Sequence, residues 1–73
     1  MTVDEPMGSW ATQLQARRRE LGLRQLDVAE LAGVSERFVR ELESGKPTVR
    51  IDKLGPVLEV LGLRLVLAPR ETP

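Results

Sequence analysis

The chain has 73 residues, 41% of them hydrophobic and only two aromatic, Trp10 and Phe38, and its eleven basic residues are balanced by eleven acidic ones. That size fits one domain near the lower limit for an unaided core, so burying further surface in a dimer would stabilise it. Cysteine and histidine are both absent, which excludes disulfides, thiolate metal sites, the usual general base and most zinc chemistry.

No apolar run approaches the roughly 20 residues that cross a bilayer. The opening MTVDEPMGS has neither the basic nor the apolar region of a signal peptide, so the expected location is the cytoplasm. The balanced charge is unevenly spread. Residues 17–50 hold eight basic residues against six acidic ones, and the remainder holds three against five. A polarity this mild makes any DNA affinity depend on the placement of a few arginines more than on bulk charge.

Residues 1–8, with Asp4, Glu5, Pro6 and Gly8, are expected to be flexible. Ser9 is an N-cap candidate for a first helix over 10–21, with Trp10, Leu14 and Leu21 on one face and Gly22 as the stop. Arg17, Arg18 and Arg19 cannot all share one direction, and Arg17 and Arg19 read as a solvated face. Leu23 is expected in the core. Gln25 opens a second helical run over 25–32, with Val28, Ala29 and Ala32 in one buried stripe. Its Leu26 and Leu31 read as exposed leucines or, alternatively, as part of a partner surface.

Gly33 interrupts that run, and Ser35 is a good N-cap for a third helix over 35–43, with Val39 and Leu42 inward. The stretch Ser44-Gly45-Lys46-Pro47-Thr48 stops it. A fourth helix falls within 51–61, striped by Leu54, Leu58 and Leu61. Its Gly55-Pro56 predicts a kink, or a short turn at 51–54 and a helix starting at Pro56, because proline lacks an amide donor and clashes with the preceding turn. Gly62 ends the helix. Leu63-Arg64-Leu65-Val66-Leu67 then alternates as a strand does. A lone strand needs a backbone partner, and the simplest is the same strand of a second subunit across a two-fold axis. Residues 69–73 are expected to form a loose tail.

Two short helices joined by a Gly-containing turn make a helix-turn-helix. In that motif the N-terminal residues of the second helix meet base edges in the major groove. The outward positions are Ser35, Glu36, Arg37, Phe38, Arg40 and Glu41. Arg37 or Arg40 suits guanine O6 and N7, Glu36 or Glu41 suits cytosine N4, and Phe38 suits a thymine methyl. The plainer reading of Arg37 and Glu41 is a surface pair one turn apart. Gln25 stands at a helix N-terminus, where amides and dipole favour phosphate.

The order of residue types over 24–45, RQLDVAELAGVSERFVRELESG, resembles the Cro/phage-repressor (XRE) family. The shared positions are Gln25, Ala29 where the helices cross, Gly33 in the turn, Val34 after it, and Val39 and Leu42. The resemblance implies a mainly α, lambda-repressor-like domain of four to five helices over 9–62, followed by one short β-strand over 63–68. It implies that Gln25 contacts the DNA backbone and braces the recognition helix, that Arg24, Lys46 and Arg50 hold phosphates, and that Arg18 pairs with Glu43. Leu26 and Leu31, where the family usually has polar residues, and the Gly55-Pro56 step depart from the family pattern, while the acidic Glu36 and Glu41 depart from a generic DNA-binding surface.

The ending, a helix, a glycine and a short alternating strand, is similar to that of HipB-type antitoxins, whose C-terminal strands form a shared sheet. That likeness implies a homodimer joined through Leu63, Leu65, Val66 and Leu67. It also implies binding to palindromic double-stranded operator DNA, repression of the chain's own operon, and restraint of a HipA-like serine/threonine kinase toxin. No cofactor, metal or membrane partner is expected. With no catalytic constellation in the sequence, the chain is not read as an enzyme. Two alternatives stand beside this: a stand-alone repressor with no toxin, and a protein-interaction module that has lost DNA binding.

Overall fold

The computed structural model describes residues 7–46, 48–66 and 69, with the backbone alone for residues 7–9. Four helices account for most of them: α1 Met7–Glu20, α2 Gln25–Ala32, α3 Glu36–Glu43 and α4 Ile51–Leu61. The central element is α2, which packs against both α3 and α4, while α1 lies mainly on α3. The core is aliphatic: Leu14 from α1, Val28 and Ala29 from α2, Val39 and Leu42 from α3, and Leu54, Val57 and Leu61 from α4. Small Ala29, 2% exposed, lets α2 cross its neighbours closely.

The four helices end in the same way. Gly22, Gly33, Gly45 and Gly62 take positive φ, and the next amide donates to the carbonyl five residues back. Those bonds run from Leu23 to Arg18, Val34 to Ala29, Lys46 to Glu41 and Leu63 to Leu58. This closure satisfies carbonyls that a helix end leaves open and turns the chain sharply. Starts are equally local. The Ser35 hydroxyl accepts from the Phe38 amide at 3.0 Å, and the Asp27 carboxylate accepts from the Arg24 amide at 2.7 Å.

The structure departs from expectation at two places. First, α1 begins at Met7, so Ser9 lies inside the helix and does not cap it. It also ends at Glu20, which leaves Leu21 in the turn and 42% exposed. The buried face of α1 is therefore Ala11, Leu14 and Arg18. Second, α4 runs unbroken through Pro56. Proline there removes one bond, to the Asp52 carbonyl, and costs about 3 kcal/mol. Burying Leu54, Val57 and Leu61 on both sides of it contributes about 1.5–3 kcal/mol each, and this outweighs the loss. Gly55 has no Cβ to meet the proline ring, which removes much of the restriction on the preceding residue.

Residues 63–66 are neither helix nor paired strand, and the strand expected there has no partner among the described residues of its own chain. Leu63 packs against the core, and Leu65 and Val66 are exposed. Leu63 and Leu65 border one apolar groove with Trp10, Ile51 and Leu58. Leu67 and residue 68 lie outside the described residues, as do residues 1–6 and all of the expected tail except Pro69.

Gly33→Ala tests the turn between α2 and α3. A Cβ there would meet nothing within 4 Å, but φ is +72°, so the substitution should cost about 1–2 kcal/mol through backbone strain alone. Denaturant unfolding measures this, and an unchanged midpoint would show that the turn does not depend on the left-handed conformation.

Candidate nucleic-acid interface

Arg18 sits on the buried face of α1, 9% exposed. Its Nε donates to Glu43 Oε2 at 2.7 Å and its Nη2 donates to Glu43 Oε1 at 3.0 Å. Its Nη1 donates to the Leu23 carbonyl at 2.8 Å. Gln25 Nε2 adds a bond to Glu43 Oε1 at 3.1 Å. The last residue of α3 is thus held by α1 and by the first residue of α2. Burial pushes the Glu43 carboxyl up, but the hydrogen bonds from Arg18 and Gln25 and the Arg18 charge outweigh it and hold it below the usual range. The same pair holds Arg18 charged, against a smaller cost of burial.

With its C-terminal end fixed, α3 presents the other end to solvent. Ser35, Glu36, Arg37 and Arg40 are all exposed. Ser35 is already committed to the Phe38 amide. Arg37, whose side chain is 80% exposed, donates from Nε to Glu41 Oε2 at 3.3 Å. Lys46 Nζ meets the other oxygen of Glu41 at 3.2 Å. Those partners, Lys46 first, hold the Glu41 carboxyl below its ordinary value against the opposing effect of burial. Arg40 forms no ion pair among the described residues. Phe38 is half-buried and packs against the core beside Leu42 and Val49.

The expected phosphate contacts divide into two places. Arg24 and Gln25 stand at the start of α2, and Lys46 and Arg50 flank the segment between α3 and α4. Arg24 grips Asp27 at 2.8 Å, and its side-chain and backbone hydrogen bonds pull that carboxyl down to about 2. Arg50 grips Asp52 at 2.8 Å, which lowers the Asp52 carboxyl in the same way. Lys46, Arg50 and Lys53 border one open cleft with Phe38 and Val49. Of the residues expected to join two subunits, Leu63 and Leu65 line the apolar groove and Val66 is exposed. They do not join the polar face.

Sequence reasoning missed two residues. Arg17, read as solvated, donates from Nε to the Leu61 carbonyl at 2.8 Å. No local pattern marks a bond across 44 residues, so only the fold reveals it. Asp27 closes the start of α2, a signal readable in its position three residues after Arg24. Among the described residues no group of acidic side chains could hold a metal ion.

Two outcomes follow for the Arg18–Glu43 pair. Glu43→Ala leaves a buried guanidinium unpaired and should cost about 3–5 kcal/mol, while the double change Arg18→Met with Glu43→Leu should cost far less. A double loss equal to the sum of the two single losses, by denaturant unfolding, would show that the pair carries no coupling. The depressed carboxyls of Glu43 and Asp27 contribute stability that is full above the unfolded carboxylate range, about 4. That stability is lost as pH falls through the folded values, which for Asp27 reaches about 2. Unfolding midpoints should therefore drop steeply below that range, and less steeply in Glu43→Gln.

The geometry agrees with what the chain is similar to. The family model of the Helix-turn-helix domain (HTH_3) matches residues 14–67, which take in half of α1 and all of α2, α3 and α4. An uncharacterized HTH-type transcriptional regulator of Sinorhizobium fredii (strain NBRC 101917 / NGR234), y4mF, is 49% identical over 55 residues, covering 74% of this chain and 72% of that protein. Among solved structures, a chain described as MDT Protein aligns with a TM-score of 0.80 at 15% identity, over 97% of this chain and all of the other. A chain in the structure of the HipA-HipB-O2-O3 complex aligns with the same figures. At that identity the likeness is one of fold. By the extent of the family match and the identity to y4mF, the chain belongs to the XRE-type helix-turn-helix family, a family of DNA-binding transcriptional regulators.

Proposed function

We propose that the chain is a homodimeric, sequence-specific repressor and the antitoxin of a toxin–antitoxin pair, binding a palindromic operator and restraining a HipA-like serine/threonine kinase. One observation carries the DNA-reading part. Arg18 and Gln25 lock the end of α3 through Glu43, while Glu36 and Arg37 at its other end, and Arg40 in its last turn, stay exposed. A rigidly held helix with a free N-terminal half suits major-groove reading. Arg37 and Arg40 bind guanine, with Glu36 and Glu41 orienting them or accepting from cytosine, and Phe38 offers its edge to a thymine methyl. Gln25, Arg24, Lys46 and Arg50 take phosphates.

Residues 9–62 form the reading domain in this account, and 63–68 the dimerising segment. The alternation of Leu63, Leu65 and Leu67 supports that segment, as does the exposure of Leu65 and Val66. The fold shared with a chain of the HipA-HipB-O2-O3 complex supports the kinase partner. No helix among the described residues is long and apolar enough to cross a membrane, which agrees with a cytoplasmic protein.

A second reading, the stand-alone repressor, rests on y4mF, a relative named as a transcriptional regulator. A kinase gene beside this one would separate the two. The interaction module rests on zero net charge and on Glu36 and Glu41. Salt-sensitive DNA binding would remove it.

Selection from a random DNA pool with the purified chain should return a palindrome whose half-sites lie about one helical turn apart. No enrichment, alone or with the co-expressed kinase, would refute the repressor. Arg37→Ala should then weaken the selected site by about 1–3 kcal/mol and relax one base pair. Unchanged affinity removes its base-reading role. Leu65→Asp should yield monomers by light scattering; an unchanged mass refutes the shared sheet.

A further inference from the structure

Arg17 and Arg18 are neighbours on α1, yet they hold opposite ends of the domain. Arg18 grips Glu43 at the end of α3. Arg17 donates from Nε to the carbonyl of Leu61, the last residue of α4, at 2.8 Å, and its Nη1 pairs with Glu20 at 3.1 Å. The chain leaves α4 immediately afterwards, at Gly62 with φ +68°, and the Leu63 amide bonds back to Leu58 at 2.9 Å. A Cβ on Gly62 would lie 3.2 Å from Arg17 Nη2, so the guanidinium rests against the exit itself. Because α4 packs chiefly on α2 and touches α1 much less, the Arg17 bond is a cross-tie between α1 and that exit. One helix therefore fixes both the end of the reading helix and the start of the 63–68 segment.

We propose that Arg17 is a positioning residue that sets which spacing of operator half-sites the dimer accepts. The proposal rests on the dimeric-operator reading. The second half-site turns by about 35° around the DNA axis for each added base pair. How sharply a dimer rejects a wrong spacing depends on how stiffly each α3 is joined to the two-fold axis. In this chain packing through α2 joins α3 to α4, and a hydrogen-bonded tie runs beside it from α3 through Glu43, Arg18 and α1 to Arg17 and the α4 exit. A cation also suits the negative end of α4, so the tie needs no second carboxylate.

The test measures binding of the full chain to duplexes carrying two copies of the selected half-site at separations varied one base pair at a time, and to a duplex with one half-site. Arg17→Ala and Arg17→Met, the latter keeping the aliphatic stem but losing every donor, should each flatten the preference for the best spacing about fivefold, the low end of coupling between sites in one molecule. Affinity for the single half-site and the dimer's molar mass should stay as in the parent. Arg17→Lys, which keeps a donor for the Leu61 carbonyl, should keep the parent profile. An unchanged profile in both donor-free variants overturns the proposal. So does a uniform loss that includes the single half-site, which would make Arg17 a direct phosphate contact. If the parent binds one half-site as tightly as any pair, the dimeric-operator reading fails, and the proposal fails with it.

Discussion

The Arg18 guanidinium lies between the ends of α1 and α3, with every nitrogen committed: two bonds to Glu43 and one to the Leu23 carbonyl. Side-chain exposures of 10% and 5% make this a desolvated pair. Such a pair adds little net stability compared with apolar residues of the same volume, because desolvation offsets most of the attraction. What it supplies is direction. A two-pronged bond between planar groups fixes angle as well as distance, and Gln25 adds a third point from α2. The position of α3 relative to the start of α2 is therefore set by hydrogen bonds and not only by aliphatic packing, which slides more easily.

The same economy governs the candidate DNA face. Arg24, Arg37, Lys46 and Arg50 are each engaged by a carboxylate of the same chain. A phosphate reaching any of them must compete with Asp27, Glu41 or Asp52. In the proposed DNA complex that competition would lower non-specific affinity, in keeping with the balance of basic and acidic residues. It also holds each cation in one place before contact. Binding that rests on a few pre-placed groups favours discrimination over raw affinity. Arg40, without such a partner among the described residues, is the exception on α3.

The helix-turn-helix was legible in the sequence because its signals are local. Gly33 and Ser35 mark an end and a start within three residues, and the inward pattern of Val28, Ala29, Val39 and Leu42 follows helical period. A helix that starts at Pro56, one of the two readings, does not form, because a local rule about Pro56 lost to three buried side chains around it. The apolar face of α1 was misread in part for a similar reason: Leu21 fits the period but falls one residue beyond the helix, while buried Arg18 occupies the core-facing place. Arg17 was invisible because its acceptor is a backbone carbonyl, which every residue carries. The outward half of α3 was readable only as a set of candidates, since a helix period says which side chains face out and not which of them meets a base.

In the proposed complex α3 reads DNA while its far end stays locked. A nuclear magnetic resonance titration of the labelled chain with its best selected duplex, and with a scrambled duplex of equal length, tests that most directly. The account predicts that backbone and side-chain signals of residues 35–40 and Gln25 shift with the selected duplex and far less with the scrambled one, while the Arg18 Nε signal stays in place. Shifts that are the same for both duplexes, or that centre on Leu26 and Leu31, would contradict it.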